Sequence, residues 1–286
     1  TDIDKAQVFV LVDVANTVKR AAESPRPTKS FCNKYKYPTG YMHVAIGKVY
    51  AVLKHYGLSK NLRTCLMLSA QENSDRRRAK YPGYKAGRVH KTYAPVEVVT
   101  WSGKCCDRVP DPVRDFMEVM AYFPCINLEM EDIWETDDAI ASAVTQLKKR
   151  NKSAVFVILS NDRDLWALMG PRVLCISKPK EEFSLDHLEK DYLTRNPKLL
   201  PLAKALFGDG SDKIKKAVAR VTEDNFVPGF LDRVRKRKGE HVAFAFERTL
   251  QKNKKLIRGT SLEKCLGKTK EIKAVLSIIR LRTKLK

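Results

Sequence analysis

Six carboxylates stand beside strongly apolar segments of this chain, and their type and placement predict a metal site. They are Asp13, Glu135, Asp137, Asp138, Asp162 and Asp164. Carboxylates gathered at the ends of buried strands lose hydration and repel one another, so a cluster persists only when it is protonated or bound to cations. The alternative for any one of these acids is a helix N-cap or a solvated turn. That interpretation weakens for the whole set.

Hard divalent cations are the expected partners of such a cluster. Mg²⁺ prefers carboxylate oxygens and keeps several of its waters. Two such ions about 3.5 to 4 Å apart can activate a water and stabilise the leaving oxygen of a phosphodiester. The acids therefore predict metal-assisted phosphodiester hydrolysis with two Mg²⁺ ions, for which Mn²⁺ is an expected substitute.

Five short apolar runs predict the strands that position these acids. They cover residues 8–14, 64–69, 126–130, 155–160 and 172–177, and helical patterns at 44–55, 111–123 and 137–149 lie between them. This alternation is typical of an α/β fold with a central, mostly parallel sheet flanked by helices. Ligands bind outside the carboxyl ends of the strands of such a sheet. Because Asp13 ends the first run and Asp162 follows the fourth, we expect the acids to converge on one edge.

Two further regions differ in composition from the strands and helices. Residues 75–109 are rich in Arg, Lys, Tyr and Gly, and they are too long for an ordinary connection. We call residues 75–109 the arch. Arg77, Tyr81 and Tyr84 in the arch suit a channel in which cations follow a backbone and unpaired bases stack on rings; the alternative is a disordered basic loop.

From residue 199 the pattern is helical and basic, which predicts an α/β domain over 1–198 and a DNA-binding region over 199–286.

The charge of the chain predicts a polyanionic partner. Lys and Arg number 55 against 33 Asp and Glu, a net charge of +22, and residues 213–286 alone hold 22 basic and 7 acidic side chains. Solubility of a small domain needs a net charge of only about 2 to 8, so nucleic acid is the expected partner. Lys213, Lys215 and Lys216 offer charges to phosphates, with binding that weakens as salt rises; the alternative is a solvated helix face.

The remaining composition excludes several other classes. The seven cysteines are scattered without a C-x-x-C pair, and the five histidines lack paired ligand spacing, so neither a zinc site nor a disulfide framework is expected. No apolar run approaches the roughly 18 residues that a membrane span needs, and the first residues do not resemble a signal peptide. We expect a cytoplasmic monomer that does not bind membranes.

Five motifs, in order along the chain, resemble those of one nuclease family. VLVDVANTVKR supplies Asp13, Asn16 and Arg20, and RRRAKYPGYKAGR supplies the Tyr-Lys-x-x-Arg set of an arch. ETDDAIA and SNDRDL supply the acids described above, and GDGSDKI matches a Gly-Asp-x-x-Asp that opens a helix-turn-helix element at 208–216. Over residues 8 to 216 these motifs are similar to the 5′-nuclease or flap endonuclease family. The spacing is closest to the branch that contains the ribonuclease H of T-even phages.

The resemblance implies a fold, a reaction and a residue set. The fold is the PIN-like 5′-nuclease fold with a helical arch, and the substrates are 5′ flaps, forks or nicked duplex DNA and RNA primers in RNA–DNA hybrids, in replication or repair alongside replication proteins. Asp13, Glu135 and Asp137 would serve one metal, and Asp162, Asp164, Asp209 and Asp212 the other, directly or through water. Asp138 is a further metal residue in the same motif. Lys85 and Arg88 would stabilise phosphate charge, and Arg20 would contact nucleic acid. A phage or bacterial origin is implied.

Two departures from the family pattern keep other functions open. Ser69 stands where the family has a metal-ligating Asp, and Glu72 or Gln71 in the same loop could replace it. The glycine hairpin that holds a monovalent ion in cellular members is missing after Asp212, so no potassium site is expected. One alternative is a branched-DNA-binding protein with impaired catalysis. A second is a PIN-type ribonuclease that acts on RNA.

Overall fold

The structure is a computed structural model. It describes residues 7–23, 39–70, 75–80, 82–86, 99–100, 103–104, 112–130, 135–192, 195–207 and 209–214. The strands are β1 (Val8–Asp13), β2 (Cys65–Ala70), β3 (Val99–Thr100), β4 (Gly103–Lys104), β5 (Ile126–Met130), β6 (Val155–Leu159), β7 (Val173–Lys178) and β8 (Glu181–Glu182). The α-helices are α1 (Val14–Glu23), α2 (Gly40–His55), α3 (Asp75–Lys80), α4 (Pro112–Met120), α5 (Thr136–Arg150), α6 (Leu185–Tyr192) and α7 (Leu200–Phe207). Three 3₁₀ segments cover Leu62–Thr64, Arg163–Leu168 and Pro197–Leu199.

Six strands form one sheet in the order β5-β2-β1-β6-β7-β8. All neighbours are parallel except β8, which runs antiparallel to β7. The predicted α/β fold with a mostly parallel sheet is confirmed. All five apolar runs form strands of this sheet, with β1 and β6 paired at its centre. A parallel sheet needs helices on both faces, and the alternation of the β1 side chains shows how they are placed.

Val10 and Val12 of β1 face one side of the sheet, where they pack with residues of α1, α2 and α4. Phe9 and Leu11 face the other side, where they pack with residues of α5. Burying an aliphatic or aromatic side chain of this size stabilises the fold by about 1.5–3 kcal/mol. A one-residue slip of β1 would exchange the two faces and move Asp13 away from the edge it occupies.

Helix α5 begins where charges favour a helix start. Asp137 and Asp138 lie in its first turn, and its last turn is basic, which suits the partial charges of a helix dipole at both ends. Its buried face carries Ile140 and Val144 into the core beneath the sheet. This packing fixes the first turn, and with it the two acids, at the carboxyl edge of the strands.

The described parts of the arch and of the region after residue 199 are short. Helix α3, the turn at 82–86 and the β3–β4 hairpin lie within the arch. Helix α7 packs on the α/β core through the buried Leu200. Residues 215–286 lie outside the described residues, so the predicted domain division and helical DNA-binding region stay predictions. None of the helices in the described ranges has the length and apolar character that a membrane span requires.

Candidate metal centre

Asp13 is held at the end of β1 by the turn that follows β6. One carboxylate oxygen accepts from the Asn16 backbone N–H at 3.0 Å, and the other accepts from the Ser160 hydroxyl at 2.7 Å. Ser160 in turn accepts from the Asp162 backbone N–H at 3.0 Å. The Asn16 side chain accepts from the Asn161 backbone N–H at 3.1 Å. These bonds fix the ends of the two central strands to each other.

Asp162 is the N-cap of the 3₁₀ segment that carries Asp164. Its carboxylate accepts a hydrogen bond from the Asp164 backbone N–H at 2.9 Å. Asp162 therefore acts as a helix N-cap, the alternative considered for single acids, and this role leaves its second oxygen for a metal. The surrounding protein displaces water from the Asp162 carboxylate, and Asp164 and Asp137 repel its charge. Together these effects raise the pKa of Asp162 to about 8, although the residue keeps an exposed outer surface.

Asp164 meets two acids of a turn that follows α7. Ligand oxygens of Asp164, Asp209 and Asp212 lie within 4.8 Å of one another. The turn is closed by two backbone hydrogen bonds between Asp209 and Ile214, at 3.0 and 2.8 Å. Burial, followed by repulsion from Asp164, raises the pKa of Asp212 to about 6. These three carboxylates form a group of the size that one divalent ion needs.

A buried lysine neutralises part of this group. The Nζ atom of Lys204 forms ion pairs with Asp164 and Asp209, and the residue is 2% exposed. Burial alone would raise the pKa of Asp209, but Lys204 and the hydrogen bonds from Ser211 together outweigh burial and lower that pKa. Sequence reasoning missed Lys204. The signal was a single lysine within the apolar helical segment before Asp209.

A buried arginine occupies the second group of acids, which opens α5. Arg77 of α3 places its guanidinium nitrogens 3.0 Å from Glu135 Oε2, 3.2 Å from both Asp137 oxygens and 3.1 Å from Asp138 Oδ2. Burial opposes the charge of Arg77, but the surrounding groups, led by Asp137 and Glu135, together outweigh burial and raise the pKa of Arg77. The Oε1 atom of Glu135 is buried and accepts no hydrogen bond from the described residues.

Two residues of the 82–86 turn complete this group. The Tyr84 hydroxyl donates to Glu135 Oε2 at 3.2 Å and accepts from Arg77 at 3.0 Å. The Nζ atom of Lys85 lies 3.0 Å from the same Glu135 oxygen. The Lys85 backbone has a φ of 49°, and its N–H donates to the Asp212 carbonyl at 3.0 Å. The base of the arch is therefore bonded to both groups of acids.

The comparisons with known proteins decide the family. The sequence pattern of the family described as 5′-3′ exonuclease, N-terminal resolvase-like domain, matches residues 8–193. The chain belongs to this 5′-3′ exonuclease family. Membership supports a nuclease, a hydrolase that acts on phosphodiester bonds. No match was found among curated protein sequences, and the narrower resemblance to the T-even ribonuclease H branch stays a prediction.

Solved structures of phage T5 proteins share the fold of this exonuclease family member. The T5 D15 protein co-crystallised with metal ions has a TM-score of 0.62 and 16% identity, over 97% of this chain and 90% of that chain. The T5 5′-exonuclease with bound zinc has a TM-score of 0.61, 16% identity and the same coverages. The bacteriophage T5 flap endonuclease was solved as a pseudo-enzyme–product complex with DNA and metal ions. It has a TM-score of 0.57 and 17% identity, over 96% of this chain and 91% of that chain. At this identity the likeness establishes the fold.

Most of the acids predicted to bind metal in this chain lie together at the carboxyl edge of the sheet. They are Asp13, Glu135, Asp137, Asp138, Asp162, Asp164, Asp209 and Asp212. Arg77 and Tyr84, predicted to contact nucleic acid, are 3% and 1% exposed and face the carboxylates, so that contact stays a prediction. Arg20 and Lys213 are exposed. Glu72, Tyr81, Arg88, Lys215 and Lys216 lie outside the described residues.

Ser69 is buried near the end of β2, where the exonuclease family pattern led us to expect an acid. The residue is 4% exposed and pairs in register with Glu129 of β5. Its hydroxyl is a weaker metal ligand than a carboxylate because it carries no charge. Within the described residues, β2 therefore offers no carboxylate at this position, and Glu72, the acid predicted to replace it, lies outside them.

The donors present fit hard divalent ions. Every candidate ligand is a carboxylate oxygen, which Mg²⁺ and Mn²⁺ prefer, and Glu135 Oε1 is a buried acceptor without a hydrogen-bond donor among the described residues. The buried cations Arg77 and Lys204 and the half-buried Lys85 balance part of the negative charge. Buried charges destabilise a fold unless they are paired. An acid cluster that is paired with three internal cations is therefore better explained by a functional role than by stability.

Proposed function

We propose that this protein is a divalent-metal-dependent 5′-nuclease that hydrolyses phosphodiesters of 5′-ended or branched DNA. The observation that carries the proposal is the meeting of Asp164, Asp209 and Asp212, from two distant parts of the chain, within 4.8 Å of one another. Such a group is costly unless cations bind it. Family membership supports the same reaction class.

The acids would hold two ions in two neighbouring groups. Glu135, Asp137, Asp138 and Asp13 would hold one, and Asp164, Asp209, Asp212 and Asp162 the other, directly or through water. Bound Mg²⁺ supplies a water of lowered pKa and stabilises the charge of the leaving oxygen. Lys85, whose Nζ lies at the rim of the first group, would donate to a phosphate oxygen and balance its developing charge. Arg88 is proposed for the same role.

DNA is the substrate that the charge of the chain favours. The net charge of +22 suits the phosphate backbone, and affinity should fall as salt rises. Flaps, forks and nicked duplexes are the proposed DNA forms, with RNA–DNA hybrids as further substrates and replication proteins as partners of a monomer. Arg20 and Lys213, both exposed, are proposed to contact phosphates.

One observation favours the second candidate function, a branched-DNA-binding protein with impaired catalysis. Ser69 stands on β2 where the family resemblance implies an acid, and a weakened metal site would slow the reaction while sparing DNA binding. A PIN-type ribonuclease is the third candidate, since such domains use a similar acid cluster. The three candidates differ in what they cleave.

Cleavage of a 5′-labelled flap duplex tests these candidates together. The full chain is assayed with Mg²⁺, with EDTA and as Asp162→Asn, beside Asp186→Asn, an exposed acid of α6 that pairs with Arg195. We expect cleavage that requires Mg²⁺, is lost in Asp162→Asn, and survives in Asp186→Asn, with DNA binding retained in both variants. Binding without cleavage in Mg²⁺ and Mn²⁺ would support the second candidate. Preference for single-stranded RNA would support the third.

A further inference from the structure

The guanidinium of Arg77 is the central cation of the Glu135–Asp137–Asp138 group. It contacts an oxygen of each acid at 3.0 to 3.2 Å, and its side chain is 4% exposed. A planar guanidinium suits this arrangement because its donors can bridge several carboxylates at once. Such a contact set resembles a buried salt-bridge network more than a surface that awaits nucleic acid.

Arg77 and Lys85 occupy carboxylate oxygens and balance negative charge that a metal ion would otherwise use. The three acids carry three negative charges, of which Arg77 and Lys85 balance two. Glu135 Oε2 accepts hydrogen bonds from Tyr84 and Lys85 and forms an ion pair with Arg77. Its Oε1 accepts no hydrogen bond from the described residues. A divalent ion that enters here meets repulsion from the buried Arg77 and the half-buried Lys85, and this repulsion is stronger near a buried charge than in bulk water.

We propose that Arg77 is a built-in counter-cation that competes with the divalent ion for Glu135, Asp137 and Asp138, so that metal binding and the docking of α3 oppose each other. The inference rests on the proposed metal site. Arg77 holds α3 on the acids when the metal is absent, and the metal displaces its guanidinium. Because coupling between two events is reciprocal, removal of Arg77 must tighten metal binding.

The same competition acts on Lys85. Its ammonium shares Glu135 Oε2 with Arg77, while its backbone N–H remains bonded to the Asp212 carbonyl at 3.0 Å. Once the metal takes over the charge of Glu135, the ammonium is released from the carboxylate and its backbone stays anchored. Lys85 is then positioned for a phosphate oxygen only in the metal-loaded protein.

Metal binding in the absence of nucleic acid tests the competition. Free Mn²⁺ is followed by electron paramagnetic resonance during titration of the full chain as wild type, Arg77→Gln and Arg114→Gln. Arg114 is a matched control, an arginine in an exposed ion pair with Glu118 on α4. We expect Arg77→Gln to bind Mn²⁺ at least about fivefold more tightly, with Arg114→Gln unchanged. Equal or weaker binding by a folded Arg77→Gln overturns the inference.

Failure of the metal site and failure of the competition give different results. Wild type that binds no Mn²⁺ refutes the proposed metal site and the inference with it. Wild type that binds Mn²⁺ with the affinity of Arg77→Gln refutes the inference alone. If Arg77→Gln does not fold, Arg77→Lys replaces it. An ammonium keeps the charge but cannot bridge three carboxylates, so tighter binding than wild type is again expected, and unchanged binding refutes.

Hydrogen exchange of residues 75–86 measures the docking of α3 directly. We expect these amides in wild type to exchange faster when Mn²⁺ is bound, because the metal displaces Arg77. In Arg77→Gln the exchange should be fast without metal and change little on its addition. Slower exchange of this segment in metal-loaded wild type would mean that α3 and the metal bind together, which overturns the inference.

Discussion

Replacing Lys204 with methionine removes the internal cation of the Asp164–Asp209–Asp212 group but leaves its carboxylates in place. The variant therefore tests the stabilising effect of the lysine apart from metal binding by the acids. The methionine fills a similar volume but removes the ammonium that pairs with Asp164 and Asp209. Breaking a buried ion pair by removing one partner costs about 3–5 kcal/mol, because the remaining charge is left uncompensated. Lys204 is 2% exposed, so solvent screening relieves little of this cost. We expect a loss of about 3–5 kcal/mol in the free energy of unfolding in EDTA.

The proposed metal should repair part of this loss. A ligand that binds only the folded state at a hundred times its dissociation constant adds about 2.7 kcal/mol. The variant has an acid group without its internal cation, so its metal affinity should exceed that of wild type. Mg²⁺ should therefore stabilise Lys204→Met more than it stabilises wild type.

Urea denaturation followed by circular dichroism measures both effects, in EDTA and in saturating Mg²⁺. Lys190→Met on α6 is the control, since Lys190 is exposed and its replacement should change stability by no more than about 0.5 kcal/mol. Two results would refute the reasoning. One is a loss below about 1 kcal/mol for Lys204→Met in EDTA. The other is an equal gain from Mg²⁺ in the variant and wild type.

Two further predictions concern the core and the dependence on pH. Phe116→Ala on α4 should lower the free energy of unfolding by about 3–5 kcal/mol, because Phe116 is fully buried. The control Tyr122→Ala, at a residue 91% exposed, should change it by no more than about 0.5 kcal/mol in the same urea assay. Similar losses in the two variants would contradict the packing described. Burial and then Asp164 raise the pKa of Asp212 to about 6, so the metal-free protein loses stability from this group as the pH rises from about 4 through 6. In EDTA, Asp212→Asn should lose less stability than wild type over this pH range. Equal dependence of stability on pH in the two proteins would contradict the assignment to Asp212.

The strands and the acid edge were predictable because both follow from short-range patterns. An apolar run such as residues 155–160 has few alternatives to a buried strand, and parallel strands bring their carboxyl ends to one edge. Asp13 and Asp162 could therefore be placed together without a structure. The confirmed family and fold depend on these same segments.

The start of α2 and the partners of the buried cations were not predictable in this way. Helix α2 was predicted to begin at residue 44, but it begins at Gly40. Tyr41 explains the difference, because it is 2% exposed and its hydroxyl donates to Asp115 of α4 at 3.4 Å. Tertiary packing thus outweighs the weak helix propensity of this segment. Lys204 finds Asp164 only when α7 packs on the sheet, which no local pattern encodes.

The hydrogen bond between Asp13 and Ser160 also has a consequence for biosynthesis. It joins residues 147 positions apart, and ribosomes add about 5–20 residues per second. Asp13 therefore waits roughly 7 to 30 seconds for its partner, and Asp209 and Asp212 emerge later still. For much of this interval the growing chain already carries the arch cations Arg77 and Lys85 without an assembled acid cluster. The proposed metal site therefore cannot assemble until the segment that carries Asp209 and Asp212 has been synthesised.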